Sequence, residues 1–559
     1  MSTVLTDNLP LLAGAPKGIK KLRELILELA VRGKLVPQDP SDEPASELLK
    51  RIAEEKARLV AEGKVKKQKT LAEFGEEAEP FELPAGWSWG TLAQVAFVNP
   101  RNAAADSLEV SFVPMTFIGT RFDDQHAQEP RLWGEVKQGF THFAEGDIGV
   151  AKITPCFENS KACVFSKLVN GLGAGTTELH IVRPVGGTLD PRFVLAYLKS
   201  PKFLLVGETK MTGTAGQKRL PKDFVETNPF PLPPLPEQHR IVAKVDELMA
   251  LCDRLEARQG DAESAHAQLV QTLLSSLTQA SDAEDFAQSW QRLTEYFHTL
   301  FTTEPSIDSL KQTLLQLAVM GKLVEQDPSD EPASELLKRI AEEKVRLAAE
   351  GKIKKPKPLP QVGADERLRE ISNGWELVRF GELIELISGQ HLGPDEYFDT
   401  LQDGAIPYLT GPAEFGEVHP QPTRFTYERR ATSIQGDILL TVKGSGVGKT
   451  NFVDQEELAI SRQLMAIRPV LLDTQFTRYL LLSMAEHFQS KSIGIAIPGI
   501  SREDVLDTPM GLPPLQEQNR IVAKVDQLMA LCDQLKARIN QARQVHEHLT
   551  SALVEQAVA

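Results

Sequence analysis

The amino-acid sequence predicts an α+β fold: two compact α/β domains joined by long helices that pack as an antiparallel or coiled-coil arrangement. Three observations support this prediction. A near-identical segment begins each half of the 559-residue chain, a second near-identical segment ends each half, and the segments between them differ. A repeat of this kind predicts an internal duplication with pseudo-two-fold symmetry. The expected regions are helical at 1–80, α/β at 81–230, helical at 231–369, α/β at 370–510 and helical at 511–559.

The first repeated segment predicts a solvated amphipathic helix. LVPQDPSDEPASELLKRIAEEKARLVAEGK at 35–64 returns as LVEQDPSDEPASELLKRIAEEKVRLAAEGK at 323–352. Within the first copy Leu48, Ile52 and Leu59 form a narrow apolar stripe, and the other positions are mostly charged. Such a helix packs through one face only.

The second repeated segment contains IVAKVDELMALCD at 241–253 and IVAKVDQLMALCD at 521–533, which differ at one position. Apolar residues alternate at spacings of four and three, which is typical of a seam that buries against another helix. Each helix could belong to a local bundle, but the near-identity favours two helices that pair or present equal surfaces to equal partners. The seam residues are Ile241, Val245, Leu248, Cys252 and Leu255 in the first copy and Ile521, Val525, Leu528, Cys532 and Leu535 in the second.

The middle segments have a different texture, with glycines, prolines and short alternating runs that are typical of strands. SFVPMTFIG and AIPYLTG predict strands, and PRFVLAYLKS predicts a helix. The two middles share little sequence. Gly146-Asp147-Ile148 resembles Gly436-Asp437-Ile438, and ELHIVRP at 178–184 resembles QLMAIRP at 463–469. The segment 259–305, which lies between the halves, predicts an extra helical connection.

Polar loops in the middles are candidates for contact with double-stranded DNA. Lysine and arginine suit phosphates, while arginine, glutamine, serine and threonine suit base edges. Charge runs are often only solvated surface, so DNA contact is a hypothesis at this point. The candidates are Lys152, Lys161, Lys210, Thr212, Gln217, Lys218 and Arg219 in the first middle and Lys443, Ser445, Lys449, Arg462, Gln463, Lys491 and Ser492 in the second.

Composition and motifs argue against several other classes. The net charge of −15 is unlike that of a simple nucleic-acid-binding protein with a basic face. The N-terminal residues lack the basic segment of a signal peptide, and no run is long and apolar enough to span a bilayer, so we expect a cytoplasmic protein without membrane contact. Four scattered cysteines predict neither disulfides nor a metal site.

The search for catalytic motifs gives no candidate residue. KGSGVGKT at 443–450 has Lys443 where a phosphate-binding loop needs glycine, and it favours a flexible loop between strands. We find no metalloprotease motif and no nucleophile elbow. The chain is therefore predicted not to be an enzyme, with no catalytic residue, no bound metal and no cofactor of its own.

Taken together, the repeated block around LPPLPEQHRIVAKVDELMALCDRLEAR, the block LAVRGKLVPQDPSDEPASELLKRIAEEK and the alternation of repeated and variable segments resemble the specificity subunit of type I restriction–modification enzymes. The resemblance covers nearly the whole chain. It implies that each middle is a target recognition domain for one half of a bipartite, asymmetric DNA sequence. It does not identify the residues that contact bases.

The resemblance also implies partners. The repeated helices would set the spacing of the domains and dock two methyltransferase (modification) subunits, and two restriction subunits would join the full complex. S-adenosylmethionine would belong to the methyltransferase, and ATP and Mg²⁺ to the restriction subunit. The complex would methylate adenine and cleave DNA in an ATP-dependent reaction during phage defence.

Two further expectations follow. A spacer helix of about 23 residues would span roughly 35 Å, near one turn of DNA. The alternative from another class is an adaptor that clamps two identical partners as a two-fold scaffold and binds no DNA.

Overall fold

The computed structural model describes residues 9–62, 80–214, 216–355, 357–363, 366, 371–492 and 498–558. The parts of the predicted N-terminal region at 1–8 and 63–79 therefore lie outside the described residues. Internal contacts divide the chain into two compact units. We call Met1–Glu263 with Gln541–Ala559 unit 1, and Ser264–Asn540 unit 2.

Unit 1 begins with three helices, α1 (Leu9–Gly14), α2 (Gly18–Val31) and α3 (Ala45–Ala61). An α/β domain follows, in which β1 (Ser88–Thr91) pairs antiparallel with the last strand, β10 (Pro229–Leu232). This pairing joins the start of the domain to its end. The helices of the domain are α4 (Leu92–Val95), α5 (Trp133–Val136), α6 (Pro191–Leu198), α7 (Pro201–Lys210) and α8 (Lys222–Thr227).

Two four-stranded sheets form the interior of that domain. The first has the order β2-β9-β6-β7 and is antiparallel throughout, and the second has the order β4-β3-β8-β5 with β3 and β8 parallel. The strands are β2 (Ala96–Val98), β3 (Glu109–Val113), β4 (Glu129–Leu132), β5 (Thr141–Ala144), β6 (Ile148–Ala151), β7 (Ala162–Val164), β8 (Leu172–Gly175) and β9 (Leu179–Pro184).

Unit 2 repeats this topology. Helices α12 (Glu304–Val319) and α13 (Ala333–Ala349) precede β11 (Glu376–Arg379), which pairs antiparallel with β20 (Pro509–Leu512). Its two sheets have the orders β12-β19-β16-β17 and β14-β13-β18-β15, with β13 and β18 parallel. The strands are β12 (Ile384–Ser388), β13 (Ile406–Leu409), β14 (Arg424–Thr426), β15 (Thr432–Ile434), β16 (Ile438–Thr441), β17 (Thr450–Phe452), β18 (Glu457–Ile460) and β19 (Leu464–Pro469). Its domain helices are α14 (Phe380–Leu383), α15 (Thr474–Ser483), α16 (Ala485–Lys491) and α17 (Arg502–Leu506). The α+β class and the internal duplication are confirmed.

Two long helices, α9 (Leu235–Gln279) and α18 (Leu515–Val558), contain 45 and 44 residues. The expected spacer helix of about 23 residues is therefore wrong, because each helix is about twice that long. No proline stands between Pro236 and Pro305, and α9 continues through Gly260, which lies two residues after the repeat ends. The rest of the segment 259–305 forms α10 (Ala283–Glu295) and α11 (Phe297–Leu300).

The seam residues lie in local cores. In unit 1, Ile241, Val245, Leu248 and Cys252 are buried in a core that includes residues of α2 and α6, with Leu255 packed against it. In unit 2, Ile521 and Val525 pack beside Trp375 and Phe476. Leu528, Cys532 and Leu535 pack beside α12 and the end of α9. Surfaces for partner proteins would therefore have to come from other faces of these helices.

A glutamate in the first turn of each long helix makes the same buried contact in both halves of the chain. Glu237 at the start of α9 accepts hydrogen bonds from Trp87 Nε1 at 3.0 Å and Gln38 Nε2 at 3.1 Å. Glu517 likewise accepts from Trp375 Nε1 at 2.9 Å. Each buried carboxylate thus ties a long helix to the tryptophan just before the first strand of its α/β domain, and the indole N–H groups gain the partner that burial demands.

The faint similarity between the middles also has a structural cause. Arg183 on β9 donates through Nε and Nη2 to the carboxylate of Asp147, at 2.8 and 2.7 Å. Arg468 on β19 makes the same pair with Asp437, at 2.8 Å for both contacts. Both aspartates are buried, so the two echoed motifs mark one internal ion pair that each domain needs.

Among the residues that the structure describes, no helix is both long and apolar enough to cross a bilayer.

Candidate nucleic-acid interface

In unit 1 the first set of candidates meets where three segments converge, which we call the loop junction. The loop 152–161 after β6 contacts residues 216–220, which precede α8, and the residue before β9, Glu178. Thr154 N donates to Lys218 O at 3.0 Å, Leu220 N to Lys152 O at 2.7 Å, and Lys152 N to Glu178 O at 3.0 Å. The backbone therefore holds the three segments together.

The junction of unit 1 presents polar side chains to solvent. Lys210, Thr212, Gln217, Lys218 and Arg219 are exposed, and Lys152 is half-buried. Lys161 differs from these, because its ammonium donates to Met115 O at 3.0 Å and holds the loop in place. Lys161 is therefore better suited to support the loop than to contact a ligand.

A carboxylate that sequence reasoning missed lies among these cations. Glu178 accepts from Nε and Nη2 of Arg219, both at 2.9 Å. The guanidinium holds the pKa of the Glu178 carboxyl below its usual range. The only sequence signal was the position of Glu178 at the start of the echoed motif ELHIVRP.

A buried histidine that sequence reasoning also missed lies beneath the loop junction of unit 1. His180 lies with Nε2 2.9 Å from Leu220 O and Nδ1 3.2 Å from Asn99 Nδ2. Because Asn99 Oδ1 accepts from Ile181 N, its amide nitrogen faces the ring as a donor. The ring is therefore neutral, with its proton on Nε2. Burial, with help from Lys152 and Lys222, holds the pKa of His180 below its usual 6.5.

Acidification should loosen the junction of unit 1. The unfolded chain takes up a proton at His180 near pH 6.5, whereas the folded ring resists it, so stability present above pH 6.5 is lost as the pH falls below it. Glu178 does not contribute in this window, because it titrates below 4.5. Hydrogen exchange of residues 211–220 should accelerate more between pH 7 and 5.5, after correction for intrinsic rates, in the wild type than in His180→Gln. Equal acceleration in both proteins would contradict the assignment.

Unit 2 contains the same junction. Gly444 N donates to Pro498 O at 2.8 Å, Ile500 N to Val442 O at 2.9 Å, and Val442 N to Gln463 O at 2.9 Å. These three bonds match those of unit 1 one for one. The match aligns Gln463 with Glu178 and Gly499 with Arg219.

The side chains at the second junction differ from those at the first. Lys443, Ser445, Lys449, Arg462 and Gln463 are exposed on the loop after β16 and the turn before β19. A shallow groove of about 310 Å³ is lined by Lys443, Gly444, Arg462 and Gln463. Lys491 is exposed at the end of α16, as Lys210 is at the end of α7, and Ser492 is half-buried. The KGSGVGKT segment connects β16 to β17.

Comparison with known proteins agrees with this arrangement. A family model for the type I restriction modification DNA specificity domain matches residues 372–542. Two relatives from Escherichia coli, the specificity subunits of the type I restriction enzymes EcoEI and EcoAI, are each 48% identical to this chain over 563 and 557 residues. Each alignment covers 97% of this chain and 94% of the relative.

A solved structure shares the fold. That structure comes from work on the structural basis of complex assembly and conformational transition of the type I R-M system. It superposes on this chain with a TM-score of 0.52 at 22% sequence identity. The match covers 86% of this chain and 99% of that chain. Near-complete alignment with two relatives at 48% identity, together with the duplicated fold, shows that this chain belongs to the family of type I restriction enzyme specificity subunits.

Proposed function

We propose that this chain supplies the DNA sequence specificity of a type I restriction–modification enzyme. The α/β domain of each unit reads one half of a bipartite, asymmetric target. The observation that carries the proposal is the pair of loop junctions, which share a backbone arrangement and differ in side chains. One framework with two sets of exposed polar groups suits two half-targets of different sequence.

The overall acidity of the chain is compatible with this role. Lysines at both junctions suit phosphates, but a net charge of −15 makes the chain alone a weak DNA ligand. Methyltransferase subunits that close around the duplex supply the remaining phosphate contacts. We therefore expect tight binding only from the assembled complex.

The partners follow from the family. Two methyltransferase subunits dock on the repeated helices, and two restriction subunits complete the enzyme in the cytoplasm. S-adenosylmethionine is bound by the methyltransferase, and ATP with Mg²⁺ by the restriction subunit, while this chain is non-catalytic and holds no cofactor. The assembly methylates adenine and cleaves DNA with ATP. A scaffold without DNA contact is not favoured, because the relatives are named specificity subunits.

The test is to express the chain with its methyltransferase subunit in a host without DNA methylation and to map modified bases across the genome. We expect a split motif with methyladenine in both halves, present only when both subunits are expressed. A stable complex, verified by mass, that leaves the genome unmethylated would overturn the proposal.

A further inference from the structure

We propose that Arg219 reads a guanine in the half-target of unit 1 and that Glu178 is the residue that positions it. This inference rests on the proposed function, because it requires the loop junction of unit 1 to face DNA bases. It adds the identity of one base and the two side chains that select it.

The geometry of the ion pair leaves the base-reading edge of Arg219 open. A guanidinium has five N–H donors in one plane. Glu178 takes the edge formed by Nε and Nη2, at 2.9 Å for each bond. The end of the fork, formed by Nη1 and the second hydrogen of Nη2, stays available, and this pair of donors matches O6 and N7 of guanine in the major groove.

The exposure of the two side chains agrees with a reading role for Arg219 and a supporting role for Glu178. The Arg219 side chain is 47% exposed, whereas Glu178 is 25% exposed. The guanidinium therefore reaches solvent, and the carboxylate supports it from below. A surface pair of this kind adds little to stability, so its orienting effect on the guanidinium is the larger consequence.

The backbone on both sides of the pair is fixed. Arg219 N donates to Thr212 O at 2.8 Å, and Thr212 N donates to Arg219 O at 3.0 Å. On the other side, Glu178 O accepts from Lys152 N at 3.0 Å. Both ends of the salt bridge are therefore anchored, which lowers the conformational entropy that Arg219 loses on binding.

The neighbours of the pair suit phosphates. Lys218 is exposed beside Arg219, and Lys210 is exposed at the end of α7. Such point charges position a duplex without reading its sequence. Unit 2 has Gln463 and Gly499 at the aligned positions, so it lacks this ion pair and has no guanidinium there.

The experiment compares variants by methylation mapping and by binding of the assembled complex to duplexes substituted at each position of the wild-type motif. Arg219→Ala should lose about 5- to 150-fold of its preference for guanine at one position of one half-target. Arg219→Lys should keep affinity but lose most of the preference, because an ammonium lacks the fork. Glu178→Gln should relax the same position to a smaller extent, because an amide accepts through one oxygen only.

Two control variants separate base reading from general effects. Lys218→Ala should weaken binding to all sequences equally and reduce the slope of log affinity against log salt by about one, with no change in preference. Gln463→Ala, at the aligned position of unit 2, should change only the other half-target. Neither control should relax the guanine position.

The outcomes are distinguishable. Relaxation confined to one guanine, in Arg219→Ala, Arg219→Lys and Glu178→Gln, supports the inference. An unchanged motif in these variants, or relaxation in both half-targets, overturns it. If Arg219→Ala abolishes methylation, Arg219→Lys decides, since retained activity with unchanged preference overturns the inference. A wild-type complex without any motif would overturn the proposed function itself, and the role of Arg219 with it.

Discussion

Replacing Asp147 with alanine should lower the free energy of unfolding of the β6–β9 region of unit 1 by about 3 kcal/mol. The Asp147 side chain is 2% exposed, and its carboxylate also accepts from Ala144 N at 2.7 Å. Without it, Arg183 loses its ion-pair partner while still partly buried, and a charge left in that state is costly. Native-state hydrogen exchange of β6 and β9 measures this local free energy.

The equivalent change in unit 2 should cost less. Asp437→Ala leaves Arg468 Nη1 donating to the Glu385 carboxylate at 2.9 Å, whereas Asp147→Ala leaves Arg183 only the neutral amide oxygen of Asn102, at 3.0 Å. A surface control, Glu129→Ala, removes a pair in which both side chains are about half exposed, and it should change stability by less than about 1 kcal/mol. If Asp437→Ala proved as costly as Asp147→Ala, Glu385 would not be compensating the arginine.

The class, the duplication and many element positions could be predicted from sequence because they depend on local patterns. SFVPMTFIG contains the last three residues of β3, AIPYLTG contains β13, and PRFVLAYLKS contains α6. The length of α9 could not be predicted from the repeat, because the repeat ends at residue 258 although the helix-forming sequence continues. A repeat boundary marks shared sequence and is not a stop signal for a helix, and even Gly260, just after the boundary, lies within α9.

The candidate site was only partly accessible to sequence reasoning. Exposed loops rich in lysine pointed to both junctions, but side-chain type alone could not separate Lys161, which holds a backbone carbonyl, from Lys218, which faces solvent. Glu178 was missed because acidic residues do not suggest DNA contact. Its role depends on Arg219, which is 41 positions away in sequence, and such pairs become visible only in the fold.

Replacing Lys344 with methionine should destabilise unit 2 by about 3–5 kcal/mol. Its ammonium projects from α13 and donates to Gly381 O at 2.8 Å, Ile384 O at 2.9 Å and Glu382 O at 3.2 Å. Burial lowers the pKa of Lys344 to about 8, so the group is still charged at pH 7. Methionine fills a similar volume but leaves these carbonyls without their donor in a buried site, which is costly.

The same helix provides a matched control for Lys344→Met. Lys338 is 67% exposed and forms an ion pair with Glu335, which is also exposed, so Lys338→Met should change stability by less than about 1 kcal/mol. Lys56 makes the equivalent contacts in unit 1, with Ala93 O at 2.6 Å and Ala96 O at 2.9 Å. Lys56→Met should therefore destabilise unit 1 alone, as measured by hydrogen exchange of α4 and β2.

Lys56 and Lys344 each join a repeated helix to a variable domain. If each change lowered the stability of its own unit by a similar amount, the duplication would have preserved this helix–domain contact while the domains themselves diverged. A loss in both units from either single change would contradict this view.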